Sequence, residues 1–254
     1  MAFKVLILGG TGEGRWLSER LATDARYQTL LSFAGRTESL ARPGVPHRVG
    51  GFGGVDGLSA FLREGDFRAL VDATHPYAAR ISANAVAAAA RTHTPLLRLA
   101  RPSWRAVTGD QWIQVEHMAA AARATGTDAK RVFLTVGRQE TPVFASAPQH
   151  DYLVRAIDDF QHGLRSAKMI LARGPFALAD ERALLERERV QLLVSKNAGT
   201  PATYPKLQAA RELRIPVIMV ARPTLPEARE TDSLDGVLAW LDALHGASPS
   251  LRGE

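Results

Sequence analysis

The chain has 254 residues, 46% hydrophobic and 23% charged, a globular composition that excludes a disordered polymer. It has no cysteine, which excludes a disulfide scaffold, a thiolate zinc site, an iron–sulfur cluster and a cysteine nucleophile. The net charge is +6, from 32 Lys and Arg against 26 Asp and Glu, and no apolar run approaches the ~18 residues of a membrane span.

In chain order, KVLIL (4–8) predicts a buried strand, residues 13–24 a helix and YQTLLSF (27–33) a second strand. HRVGG (47–51) predicts a short third strand, 54–64 a helix, RALVDA (68–73) a strand and 77–92 a helix. PLLRLA (95–100) and WIQVE (112–116) predict strands, followed by a helix from about 117 to 125. The pattern then restarts, with strands at 131–137, 152–157, 168–174, 190–196 and 216–221 and helices at 178–189, 203–214 and 233–245. Strands alternating with helices predict an α/β fold with parallel sheets covered on both faces. The expectation is two Rossmann-like lobes, residues 1–128 and 129–254, with a cleft between them and a boundary at ATGTDAK (124–130). The alternative is one continuous doubly wound sheet. The tail from 246 to 254 is expected to fray. The N-terminus is a poor signal peptide, because its apolar part is only VLIL and a glycine turn follows, so a cytoplasmic protein is expected.

The first strand runs directly into Gly9-Gly10-Thr11-Gly12-Glu13-Gly14. A strand, a glycine turn and a helix N-terminus together form a phosphate cradle, since glycines admit close approach and free N–H groups face the anion. Gly10, Thr11, Gly12 and Glu13 are the candidate cofactor-binding residues. The spacing departs from G-x-G-x-x-G, with Arg15 where the third glycine would stand, and it also fits the G-x-G-x-G of methyltransferases. A purely structural turn is the bland alternative. No Walker lysine is present, which excludes an ATPase P-loop. The second strand ends in Ser32-Phe33-Ala34-Gly35-Arg36-Thr37, without the carboxylate that holds the ribose of NAD. Arg36 in that place would clamp a 2′-phosphate, so Arg36 and Thr37 point to NADPH or NADP. A solvated loop arginine is the alternative. On this reading residues 1–128 form the NADP-binding lobe, and 129–254 complete the cofactor and substrate cleft.

Asp72-Ala73-Thr74-His75-Pro76-Tyr77 lies where a strand gives way to a helix, the carboxyl edge at which open α/β sheets bind ligands. Thr74 and His75 are therefore cofactor candidates, although either could simply cap the helix. His75 is a weak candidate for a catalytic proton donor. No metal site is expected, since no histidine pair has i, i+4 spacing and no HExxH occurs. The second half ends its strands in Thr135-Val136-Gly137-Arg138, in Arg173-Gly174-Pro175-Phe176 and in Ser195-Lys196-Asn197-Ala198-Gly199-Thr200. Arg138, Lys196, Asn197, Gly199 and Thr200 form a candidate anion site, for the substrate or for the cofactor from the second lobe. No G-x-S-x-G elbow occurs, and no Tyr is followed four residues later by Lys, so the usual short-chain dehydrogenase pair is absent. Only five of the basic residues are Lys. The arginine excess suits an anionic ligand or reflects codon composition, and its scatter is unlike a nucleic-acid stripe.

LGGTGEGR, VDATHPYA, RPSW (101–104), TVGR, ARGPF and SKNAGT followed by Lys206 together resemble the precorrin-6A reductase family of cobalamin biosynthesis, from about residue 4 to 245. The resemblance implies NADPH-dependent reduction of one ring C=C bond of precorrin-6A to give precorrin-6B. A related branch acts on the cobalt-loaded macrocycle, and these motifs do not separate the two. The implied partner is a small tetrapyrrole polycarboxylate, with neither nucleic acid nor membrane, and the chain is expected to work as a monomer. A methyltransferase and a non-catalytic nucleotide-binding regulator are the competing classes.

Overall fold

The computed structural model describes residues 2–34 and 44–247. The chain forms two compact units, Met1–Pro102 with Thr224–Glu254, and Ser103–Pro223. The first opens with β1 (Phe3–Leu8), α1 (Gly12–Ala22), β2 (Tyr27–Phe33), β3 (His47–Val49), α2 (Gly54–Glu64), β4 (Ala69–Asp72), α3 (Ala79–Thr92) and β5 (Leu96–Leu99). The second holds β6 (Trp112–Val115), α4 (Met118–Ala124), β7 (Arg131–Thr135), β8 (Asp151–Ala156), β9 (Ala167–Leu171), α5 (Leu178–Arg187), β10 (Leu192–Lys196), α6 (Pro205–Glu212) and β11 (Val217–Val220). The chain then returns to the first unit as β12 (Glu230–Thr231) and α7 (Leu234–Ala247). No helix among the described residues is long and apolar enough to cross a membrane.

Each unit carries one six-stranded sheet, ordered β12-β5-β4-β1-β2-β3 in the first and β6-β11-β10-β7-β8-β9 in the second. Every pairing in both sheets is parallel. Parallel pairing buries both faces, which is why VLIL reads as a continuous apolar run rather than an alternation. Val5 and Ile7 of β1 pack on one side with Leu17 and Leu21 of α1 and with Val237, Trp240 and Leu241 of α7. Leu6 and Leu8 face the other way, against Leu58 and Leu62 of α2 and Ala85, Ala88 and Ala89 of α3. In the second unit Phe133, Leu153, Leu193 and Val217 pack against Leu184 and Leu185 of α5 and Leu207 and Ala210 of α6.

The division differs from the expected boundary at 128. β6 follows β5 in sequence but pairs in register with β11, Trp112 opposite Val217. Conversely β12 follows β11 but pairs with β5, Glu230 opposite Arg98. The second sheet is thus one continuous run, β6 to β11, and the first sheet takes its edge strand β12 from beyond that run. Local periodicity identifies a strand but not the sheet it joins, and a two-residue strand carries no periodic signal.

The second unit buries an ionic cluster. Arg155 of β8 donates from both terminal nitrogens to the carboxylate of Glu181 on α5, and its guanidinium lies 3.8 Å from the centroid of Phe176. Lys206, 4% exposed near the start of α6, places Nζ 5.4 Å from the Trp104 ring centroid. Burial, reinforced by repulsion from Arg155 and opposed by Glu181, lowers the Lys206 ammonium to about 7. The unfolded lysine keeps its proton up to about pH 10.5. Between these values the unfolded chain binds more protons, so stability should rise as pH is raised from about 7 toward that limit. Lys206→Met should flatten this rise and be the more stable form near pH 7. Urea midpoints of both proteins across that range check this, and parallel curves would contradict it.

Candidate functional site

The turn after β1 is built from three glycines with different duties. Gly10 has φ +119°, backbone that side-chain-bearing residues rarely adopt. Gly14 brings α1 against the sheet, since a Cβ there would stand 3.3 Å from Ala73 Cβ and 3.4 Å from Gly9 Cα. The close packing expected of a third glycine is therefore done by Gly14, one residue before Arg15. At Gly10 and Gly12 an added Cβ would meet nothing within 4 Å, leaving open backbone at the N-terminus of α1. Thr11 caps that helix: its hydroxyl accepts from the Gly14 N–H at 3.1 Å and donates to the Ala73 carbonyl at 2.7 Å. Glu13, in the first turn, accepts from Arg101 at 3.0 Å.

The end of β4 is the second wall. Asp72, 1% exposed, accepts from the Thr74 hydroxyl at 2.7 Å and the Thr74 N–H at 3.2 Å. Arg98 Nε stands 3.4 Å from the other Asp72 oxygen, and Arg98 Nη1 donates to Glu230 of β12 at 2.7 Å. Neither Thr74 nor His75 caps α3, contrary to that alternative reading. Its cap is Ala78, and residues 75–78 form a turn in which the Tyr77 N–H donates to His75 Nδ1 at 3.3 Å. An accepting Nδ1 puts the proton of the neutral ring on Nε2.

These elements enclose a cavity of about 610 Å³ at the carboxyl ends of β1, β2 and β4, where the strand order reverses. Gly10, Thr74 and His75 line it together, with Ser32 and Phe33 from the end of β2. Thr11, Gly12 and Glu13 are not among its lining residues and stand at the adjoining helix start. Arg36 and Thr37 lie outside the described residues. The opposite wall, Gly50-Gly51-Phe52-Gly53-Gly54, was missed from the sequence, as were Arg80 and Asn84 of α3. Four glycines around one phenylalanine, between a strand and a helix, were the available signal. Arg48 holds this loop, donating to the carbonyls of Gly50 and Gly51 at 2.9 and 3.0 Å and to Ser32 at 2.9 Å. Its guanidinium lies 4.0 Å from the Phe52 ring centroid, and burial lowers its pKa.

In the second unit the predicted strand ends fall after β7 and β10. Lys196 donates to Glu140 at 3.0 Å. The Asn197 amide clasps the backbone of Trp104, accepting from its N–H at 2.7 Å and donating to its carbonyl at 2.9 Å. Asn197 thereby anchors the RPSW segment. Gly199 has φ +74°, Thr200 precedes the short helical turn Pro201–Thr203, and Arg138 is exposed.

The sequence profile described as Precorrin-6x reductase CbiJ/CobK matches residues 4–242. A precorrin-6A reductase of a Sinorhizobium species is 47% identical, covering 94% of both chains. That of Rhodobacter capsulatus is 43% identical, covering 97% of this chain and 98% of its own. A cobalt-precorrin-6A reductase of Priestia megaterium is 30% identical, covering 87% of this chain and 91% of its own. The solved structure of CobK precorrin-6A reductase is 42% identical, covers 100% of both chains and has a TM-score of 0.90. With parallel sheets, a glycine-lined cavity at the switch point and a full-length match, this chain belongs to the precorrin-6x reductase family of cobalamin biosynthesis and is an oxidoreductase.

Proposed function

We propose that the chain reduces one ring C=C bond of precorrin-6A to give precorrin-6B, with NADPH as reductant, in the cytoplasm. The observation that carries this reading is the cavity of about 610 Å³ at the carboxyl edge of the first sheet, in a chain of this family. Its size is that of a cofactor site, and open backbone at Gly10 and Gly12 leaves room for a pyrophosphate. When bound, NADPH would supply the hydride that one ring carbon takes up. The chain's own part is to hold and orient. Gly10, Thr11, Gly12 and the first N–H groups of α1 cradle the pyrophosphate, while the end of β2 receives the adenosine half. Arg36 and Thr37, which follow β2 in sequence, would clamp the 2′-phosphate. His75 is the titratable group of this cavity suited to hand on, from Nε2, the proton that the neighbouring ring carbon needs.

The cobalt-free substrate is favoured over its cobalt-loaded counterpart by similarity. Precorrin-6A reductases match at 41–47% identity and cobalt-precorrin-6A reductases at 29–30%. For the carboxylates of the macrocycle the second unit offers Arg138 and Lys196, with Gly199 and Thr200 shaping the turn. Lys196 would share its charge between Glu140 and a substrate carboxylate, and Asn197 serves by holding Trp104 in place.

Arg36→Ala should weaken NADPH binding by roughly 10- to 150-fold, the worth of one charge-assisted contact, and leave NADH nearly unchanged. Calorimetric titration with each cofactor checks it, and equal losses would remove Arg36 from the 2′-phosphate. Lys196→Ala should raise the KM for precorrin-6A more than fivefold, because Glu140 is left unpaired beside the incoming carboxylates, with a smaller effect on the KM for NADPH. The effect should shrink at high salt. Anaerobic steady-state kinetics varying each substrate in turn would decide, and a rise confined to NADPH would move Lys196 to the cofactor.

A further inference from the structure

We infer that Thr74 is a specificity-determining hydrogen-bond acceptor for the nicotinamide riboside half of the cofactor, with Asp72 and Arg98 as its positioning residues. The inference rests on the reading of the 610 Å³ cavity as the dinucleotide site.

A threonine hydroxyl has one hydrogen and two acceptor lone pairs. The hydrogen of Thr74 is committed to Asp72 Oδ1 at 2.7 Å, and the Thr74 N–H goes to the same oxygen at 3.2 Å. Asp72 Oδ1 accepts from the Thr74 N–H as well, so it is the acceptor in both bonds and holds the hydroxyl hydrogen. Ser82 Oγ is 3.3 Å from Thr74 Oγ1 and must be the donor there, since Thr74 has no second hydrogen to give. One lone pair of Thr74 then remains in a side chain that lines the cavity. A ligand group meeting it must bring its own O–H or N–H.

Asp72 is itself held. It is 1% exposed and shares a contact with Arg98, 5% exposed, through Nε at 3.4 Å. Arg98 Nη1 reaches the Pro226 carbonyl at 3.1 Å and Glu230 at 2.7 Å, both in the segment that returns to pair with β5. Arg98 Nη2 is buried without a hydrogen-bond partner. A guanidinium kept inside with one nitrogen unsatisfied is a poor choice for stability alone, because unmet buried donors cost free energy. Its geometry instead fixes the Asp72 carboxylate, and through it the direction of the Thr74 hydroxyl.

Strand order assigns the ligand half. In a sheet of this order the adenosine half lies over the β2 side of the switch point and the pyrophosphate over the start of α1. Thr74 follows β4, on the other side of β1, so it meets the half that continues beyond the pyrophosphate. That half offers the donors an acceptor needs, the ribose hydroxyls and the carboxamide N–H₂.

Titration calorimetry on the full chain tests this with NADP⁺ and with adenosine 2′,5′-bisphosphate, which lacks the nicotinamide half. Thr74→Val should weaken NADP⁺ by roughly three- to tenfold, the worth of one neutral hydrogen bond, and leave the bisphosphate unchanged. Thr74→Ser should restore NADP⁺ binding. Asp72→Asn, whose amide can donate to Thr74, should reproduce the selective loss, with circular dichroism confirming the fold. If it fails to fold, the Thr74 pair alone decides. Nicotinic acid adenine dinucleotide phosphate, with a carboxylate for the carboxamide, separates the donors: the Thr74→Val loss vanishes with it if the carboxamide is the partner and persists if a ribose hydroxyl is. Equal loss for NADP⁺ and the bisphosphate, or no loss for NADP⁺, overturns the inference while leaving the cofactor reading intact. A wild-type chain that binds neither overturns both.

Discussion

Thr11 donates one hydrogen bond, to the carbonyl of Ala73 at 2.7 Å, and accepts another, from the Gly14 N–H. The first ties the turn after β1 to the end of β4, and the second opens α1 at a defined residue. Both require α1 to lie close to the sheet, which Gly14 permits because it has no side chain to meet Ala73. The two loops that floor the cavity are therefore one mechanical piece. The β4 loop is fixed again from below, through Thr74, Asp72 and Arg98. Such rigidity suits the dinucleotide site proposed above, since hydride transfer depends on positioning more than on any group the protein contributes.

The returning edge strand β12 reaches into this site. Arg98 would lack a carboxylate on its outer side if β12 did not place Glu230 beside it, and that strand comes from a segment more than a hundred residues later. The C-terminal helix that follows β12 also supplies Val237, Trp240 and Leu241 to the core on the α1 face of the sheet. Helix α7 is thus part of the first unit's architecture.

In the second unit the polar strand ends are largely satisfied within the unit. Lys196 has Glu140, and Asn197 has both backbone groups of Trp104. Arg155, Glu181 and Lys206 form a buried ionic cluster in the same unit, and burial, more than the neighbouring Arg155, lowers Lys206.

The α/β class, nearly every helix and strand, and the glycine turn were legible in the residues. Period-3.6 and continuous apolar runs are local signals, and β1 and its glycines are adjacent in the chain. The family was legible too, because VDATHPYA and SKNAGT are contiguous strings. Sheet membership was not. WIQVE has the same strand character whether it edges one sheet or the other, and only hydrogen-bonding partners far along the chain decide. Likewise the duties of Thr74, Asn197 and Gly14 depend on what folding brings beside them: Asp72 with Arg98, the backbone of Trp104, and the Ala73 side chain. Short-range pattern sets what each segment becomes; partners distant in sequence set where it goes and which of its polar atoms are left for a ligand.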